Sequence, residues 1–418
     1  MTMTPVSLST ARLTINCDRL NQSIADLAAI GKLENGGVCR IAFTDADLSA
    51  RNQVQAWMED AGMTTRIDAA GNVIGRYEGK FPNAPVLATG SHIDTVPVAG
   101  AFDGCLGVLA GIEVVRTLRE NDVRLDHPIE VIVFSDEERS VIGSKAIAGE
   151  VHEDPAYYVR LDGTPIQDCL TKVGGDWSKI ATAKRSDIAA FVELHVEQGG
   201  VLEDAKLPIG VVSGVVGQYR FALKIKGRPN HAGTTPMNMR KDALVAGAQI
   251  VLAVNRIAVE TPGDQVATVG YLTVSPNATN TVPGEVDLRI DLRDLSQSHL
   301  EELVERLKAE ISTIAESTGT EIEMRQTLHI LPTLAAPGIM NAIEQVCHDL
   351  KLPSMQLPSR AGHDAQEIGR VTDMGMIFIP SQAGISHSEE EYTSPEECAQ
   401  GTNVLLQTFL RLDQMYAH

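Results

Sequence analysis

Histidines and carboxylates recur in this chain just after short apolar runs. "GSHIDTVPVAGAFDGCLG", Gly90 to Gly107, carries His92, Asp94 and Asp103. "FSDEER" adds Asp136, Glu137 and Glu138, "ELHVEQG" adds His195 and Glu197, and "GISHSEEEYTS" adds His387. Such groups are costly to bury unless something pairs with them. Neutral imidazoles beside carboxylates suit Zn²⁺ or a similar divalent ion. Asp94 lies two residues from His92, on the same side of an extended chain, where it can accept the imidazole's other N–H. Glu137 and Glu138 cannot both point the same way along a strand. One can then bind metal while the other moves protons, the arrangement that hydrolysis by a metal-activated water needs.

Each of these residues also has a plainer reading. A lone histidine at a strand end is usually a surface or hydrogen-bonded residue, and "DEE" alone is usually a solvated turn. Asp136 could cap a helix, and Glu197 could face water. From spacing, the case rests on the ensemble.

The elements that must hold these clusters are legible in the apolar pattern. "LSARNQVQAWMEDAG" (48–62) and "GVLAGIEVVRTLREN" (107–121) read as amphipathic helices. "APVLATGSH", "IEVIVFSDEE" (129–138) and "FVELHVEQG" (191–199) read as strands with polar C-terminal ends. Near-continuous apolar strands separated by helices imply an α/β fold, a central, largely parallel sheet flanked by helices. Sites form at the carboxyl ends of such strands. Near Ser213 the pattern changes to strict alternation, in "YRFALKIKG" and "VDLRIDLRD". That marks half-buried antiparallel strands. With a helix over 241–259, a strand over 265–274, a helix over 296–317 and a strand over 321–326, the order is β-α-β-β-α-β. This is a ferredoxin-like α+β unit. Residues 213–329 are therefore read as a domain inserted into a catalytic domain made of 1–212 and 330–418.

Composition narrows the partners. A net charge of −20 argues against nucleic acid. No apolar run approaches the roughly 20 residues of a membrane helix, and "MTMTPVSLST" has no secretory pattern. The six scattered cysteines, with no CxxC, suit reduced thiols in a cytoplasmic enzyme. Cys105, beside the histidine loop, has no base assigned to it and reads as a small buried thiol.

Eight strings then carry a resemblance: "GSHIDTVPVAGAFDGCLGVLAG", "FSDEER", "ELHVEQG", "GRPNHAGTTPM", "PNATNTVPGEV", "IDLRD", "AGHDA" and "GISHSEEEYT". Together and in this order they resemble the zinc amidohydrolases of the M20 peptidase clan, hydantoinase/carbamoylase group. That group includes N-carbamoyl-L-amino acid hydrolases, allantoate amidohydrolases and β-ureidopropionases. The resemblance implies two divalent metal ions per subunit, Zn²⁺ first and Mn²⁺, Co²⁺ or Ni²⁺ as alternatives. It makes His92 and His387 ligands of different metals and Asp103 the bridge. Glu138 falls on one metal and His195 on the other, and Glu137 is the general base for a metal-bridged hydroxide. It further implies that His231 stabilises the oxyanion from the partner subunit of a homodimer formed through the inserted domain. Asn280 and Arg293 match binders of the substrate carboxylate, Gln218 a polar contact, and Gly362 a backbone contact. Without the resemblance, Arg293 reads as an ion pair with Asp287 or Asp291. The implied reaction is cleavage of a linear C–N bond in an N-carbamoyl-L-amino acid. Allantoate or another ureido acid is the alternative, and a dipeptidase or aminoacylase activity a more distant one.

The chain departs from the group's pattern in two places. After "DEE" it reads "RSVIGSKAIAG" where a glycine- and phenylalanine-containing string is common, and Ser359–Arg360 precede "AGHDA". Both leave the metal residues intact and bear on which substrate is taken.

Overall fold

A computed structural model describes residues 13–416. They divide into two compact units, one up to Gly214 and again from Leu334, the other Val215–Thr333. In chain order, the first part holds α1 (Cys17–Ala28), α2 (Asp45–Asp60), β1 (Thr64–Ile67), β2 (Val73–Tyr77), β3 (Val86–His92), α3 (Cys105–Glu120), β4 (Ile129–Phe134), α4 (Ile142–Ala148), α5 (Ile166–Lys172), β5 (Ile188–Val196), α6 (Val201–Ala205) and β6 (Ile209–Val215). The second unit holds β7 (Gly217–Lys226), β8 (Asn230–His231), α7 (Ala243–Glu260), β9 (Val266–Ser275), β10 (Thr281–Val282), β11 (Glu285–Asp294), α8 (Gln297–Thr318) and β12 (Glu321–Ile330). The chain then continues through β13 (Thr333–Leu334), α9 (Pro337–Leu350), β14 (Ser354–Ser359), α10 (Asp364–Ile368), β15 (Asp373–Ile379) and α11 (Pro395–Met415).

The large sheet runs β1-β2-β4-β3-β5-β15-β6-β13, with β14 beside β6. Its centre, β4-β3-β5-β15, is parallel. Its flanks are antiparallel, where β2 pairs β4 and β1 on one side and β15 pairs β6 on the other. Every residue of β3 and β4 is buried, as a strand covered on both faces requires. Period-two alternation in β5 sends Val192, Leu194 and Val196 into the core shared with α3, α9 and α11. The same alternation turns Glu193 and His195 to the other face. There the Ala365 N–H at the start of α10 donates to Glu193 at 3.0 Å.

One sequence expectation changes here. The strand over 129–138 stops at Phe134, and "DEE" enters a turn with Asp136 at φ +55°. The N–H groups of Ser140 and Val141 both return to Asp136 O, so the backbone folds on itself ahead of α4.

In the second unit the four strands lie in the order β12-β7-β11-β9, each pair antiparallel. Tyr219, Phe221, Leu223 and Ile225 of β7 and Val286, Leu288, Ile290 and Leu292 of β11 pack into one core with α7 and α8. α7 is long and apolar enough by composition to cross a membrane. In this fold its inner face, with Ala246, Ile250 and Ile257 among others, covers the sheet. All six cysteines are free thiols.

Candidate metal centre

The carboxyl ends of β3 and β5 place two imidazoles side by side, His92 and His195, with ring centroids 6.1 Å apart. Each ring is fixed by its Nδ1. His92 Nδ1 meets the carbonyl of Asp94 at 2.9 Å and His195 Nδ1 that of Val196 at 2.8 Å. A carbonyl only accepts, so both Nδ1 atoms donate and both Nε2 atoms face the site. Asp103, in the loop between β3 and α3, lies in front of them. Its Oδ1 is 3.8 Å from His92 Nε2 and 3.3 Å from His195 Nε2. Its Oδ2 is 3.2 Å from Nε2 of His387, which in turn is 3.6 Å from Glu138 Oε2. Among the described residues, besides Glu193/His195/His363, two groups of ligand atoms result, His92/Asp103/His195 and Asp103/Glu138/His387, the atoms of each group lying within 4.8 Å of one another. Asp103 belongs to both. Glu137 Oε2 stands 3.6 Å from His92 Nε2.

The loops that deliver these groups are strained or tightly packed. His387 and Gln198 have φ of +53° and +57°, as Asp136 has +55°, conformations that cost a non-glycine residue on the order of 1–3 kcal/mol each. Gly104 has φ +66°, and a Cβ there would lie 2.4 Å from His92 Nε2. Only glycine lets the chain pass the ring so closely.

Asp94 takes a different part from the one its spacing suggests. Its backbone carbonyl, not its carboxylate, holds the His92 ring, and Oδ1 is 3.9 Å from His92 Nδ1. The buried carboxylate accepts the N–H groups of Glu137 and Glu138, each at 3.3 Å. The turn at Asp136 aims both amides at it, so Asp94 fixes the backbone from which the two glutamates project. Asp136 stays out of the cluster, accepting from Ser140 at 2.5 Å and Arg160 at 3.4 Å. Glu197 does not face water. Its oxygens accept the Val201 and Leu202 N–H groups, both at 2.8 Å, and so cap α6.

The remaining candidates are not among these ligand groups. Gly362 is exposed in the loop directly before His363. The other four belong to the second unit. His231 is exposed, and its Nδ1 accepts the N–H groups of Gly233 and Thr234 at 3.0 and 3.2 Å. Its proton therefore sits on Nε2, which is left as a donor. Asn280 adjoins it, its carbonyl accepting the Ala232 N–H at 2.9 Å. Gln218 and Arg293 are directly opposed across β7 and β11. Arg293 Nε donates to Asp291 at 2.8 Å, so the ion pair of the plainer reading is present.

With this geometry in hand, comparison with known proteins is decisive for the family. The profile of peptidase family M20/M25/M40 matches residues 88–411. The chain belongs to this family. It is 39% identical over 407 residues to an N-carbamoyl-L-amino acid amidohydrolase of Geobacillus stearothermophilus, covering 96% of this chain and 99% of that one. It is 34% identical to an allantoate amidohydrolase of Bacillus subtilis, over 92% of this chain and 95% of that one. A crystal structure of a hydantoinase/carbamoylase family amidase from Burkholderia multivorans superposes with a TM-score of 0.90 at 34% identity, covering 96% and 98% of the two chains.

The M20 family is metal-dependent, and the donor set fits a cation. With both Nδ1 atoms committed as donors, the His92 Nε2 lone pair faces the Asp103 and Glu137 carboxylates. That of His195, which accepts the Gly104 N–H at 3.2 Å, also faces Asp103. A lone pair against a carboxylate is unfavourable unless a positive charge lies between them. Protons report the same field. Burial opposes a charge on His195, but hydrogen bonding to Asp103 outweighs it and lifts the imidazole to about 9. Asp103 also lifts His387 to about 9. Glu138 Oε1 is buried with no hydrogen-bond partner. Burial, then Asp364 and Glu138, push Glu137 well above the usual carboxylate range.

Spacing missed four residues around this M20 site. Gln198 Nε2 donates to Asp103 Oδ2 at 3.1 Å. Glu391 accepts the Phe102 and Asp103 N–H groups at 3.2 and 2.8 Å, tying the metal loop to the segment that carries His387. Glu193 accepts the Ser91 hydroxyl at 2.7 Å. His363 packs against His195 with centroids 4.5 Å apart. A charged residue inside the apolar run of β5 was a usable signal for Glu193. The other three depend on loops that meet only in the folded chain.

Proposed function

We propose that this M20 protein is a metal-dependent amidohydrolase that cleaves the linear C–N bond of an N-carbamoyl-L-amino acid, giving the amino acid, CO₂ and ammonia. One observation carries the reading: two ligand groups share Asp103 while Glu137 stands beside them, in a chain nearly full-length related to an N-carbamoyl-L-amino acid amidohydrolase. His92, Asp103 and His195 would hold one divalent ion, and Asp103, Glu138 and His387 a second. The imidazole–carboxylate set suits Zn²⁺, with Mn²⁺, Co²⁺ and Ni²⁺ as alternatives. When bound, such a pair acidifies a water and polarises the carbonyl it attacks. Glu137 takes the proton of the attacking water and delivers it to the leaving nitrogen. His231 offers its Nε2–H to the developing oxyanion. Arg293 and Asn280 hold the substrate carboxylate, with Gln218 and the Gly362 backbone as further contacts. The assembly is a homodimer through the second unit, and six free thiols favour a cytoplasmic setting.

The 34% identity to an allantoate amidohydrolase supports a second reading with the same machinery and allantoate as substrate. Ammonia release is the test, measured over N-carbamoyl-L-amino acids, N-carbamoyl-β-alanine and allantoate. We expect N-carbamoyl-L-amino acids to lead, chelation to abolish the activity and divalent ions to restore it. Faster turnover of allantoate would select the second reading. Full activity in metal-free protein would overturn both.

A further inference from the structure

Asp291 lies where three donors meet. β7 and β11 pair so that Arg293 opposes Gln218 and Asp291 opposes Arg220. Side-chain alternation puts these four on the sheet face opposite Tyr219, Phe221, Ile290 and Leu292, which enter the core. Asp291 Oδ1 accepts Arg293 Nε at 2.8 Å, and Oδ2 accepts Arg220 Nε at 2.8 Å and Arg293 Nη2 at 3.4 Å. The Gln218 amide donates to the same Oδ2. Burial works against the charge on Asp291, but the hydrogen bonds from Arg293 and Arg220 outweigh it and hold the carboxyl below its usual range. Asp291 is therefore an anion at neutral pH. Within this hydrogen-bonded group one carboxylate meets two guanidiniums.

We propose that Asp291 is a specificity-determining residue. By cancelling one of the two guanidinium charges, it matches the Arg293 subsite to a monocarboxylate and restrains its attraction for a second negative charge on the substrate. The proposal rests on the reading of Arg293 as the carboxylate binder. In it Asp291 has a second effect, since its bond to Nε orients the Arg293 fork. The two effects separate experimentally. Loss of orientation weakens every carboxylate substrate alike. Loss of the charge favours dicarboxylates over monocarboxylates.

The measurement is kcat/KM for an N-carbamoyl dicarboxylic amino acid divided by that for an N-carbamoyl amino acid with an apolar side chain. It is made on the wild type, Asp291→Asn and Arg220→Gln. A unit charge about 7 Å from the second carboxylate, at the screening of a partly exposed site, changes binding by roughly 3- to 30-fold. Asp291→Asn should raise the ratio by that factor, Arg220→Gln should lower it, and high salt should shrink both changes. If Asp291→Asn lowers both rates equally and leaves the ratio unchanged, Asp291 only braces the strands and the proposal is overturned. Should that variant fail to fold, Arg220→Gln decides alone, and an unchanged ratio overturns the proposal. Arg293→Ala tests the underlying reading separately. We expect it to damage carboxylate substrates far more than an N-carbamoyl amine without a carboxylate. Equal damage to both would remove Arg293 as the binder and the proposal with it.

Discussion

In the proposed mechanism Glu137 is the residue on which the chemistry turns, and its surroundings separate it from Glu138. Both hang from backbone amides held by Asp94. Glu138 reaches toward His387, and Glu137 toward His92. Exchanging the Glu137 carboxylate for an amide keeps its size, and the Asp94 bonds are made to backbone that the exchange does not touch. Glu137→Gln should therefore retain metal content and thermal stability while turnover falls by roughly two to four orders of magnitude, the usual weight of a general acid–base. Metal analysis beside steady-state kinetics checks both halves. Near-native turnover at unchanged metal content would move the base elsewhere.

At the scale of elements, the site depends on the β3–α3 connection, which returns the chain across the His92 ring. Gly104 is its tight point, with φ +66° and the ring 2.4 Å from where a Cβ would stand. Gly104→Ala should cost about 1–3 kcal/mol through the backbone alone, and it should displace the imidazole. Chelator competition and thermal melts read the two effects apart. We expect metal affinity to fall more than the melting point does, and unchanged affinity would argue against His92 as a ligand. The sequence makes β3, β4 and β5 legible because strands buried on both faces must be apolar throughout, so the polar residues that follow them stand out. It hides what depends on turns and distant loops. The Asp94 carboxylate finds its partners only because Asp136 takes a left-handed conformation that spacing does not reveal. Glu391 holds the Asp103 amide across 288 residues of chain. Glu197 looks free until the five-residue α6 forms over it. The antiparallel pairing of β2 and β6 is likewise hidden, since a buried strand reads alike in either direction.

At the scale of the whole molecule, the second unit carries surface that suits a second copy. α7 exposes Leu244, Val245, Leu252 and Val259 on its outer side. β9 is an edge strand of the sheet and exposes Val266, Tyr271 and Leu272. An apolar helix face beside an open strand edge invites pairing by twofold symmetry, which satisfies backbone groups and buries the apolar stripe together. In the proposed dimer, His231 serves the neighbouring subunit's metal centre. Mixing two inactive variants, His231→Ala and Glu137→Gln, tests this directly. A heterodimer then holds one site with both residues intact and one with neither. Random exchange makes about half of the dimers mixed, each with one working site of two, so activity should return to roughly a quarter of the wild type by symmetry counting. If exchange is verified, by mass or by differential tags, and no activity returns, His231 acts within its own chain. In that case a monomer truncated at the interface would still turn over, whereas the shared site predicts that separating the subunits silences the enzyme even with its metals in place.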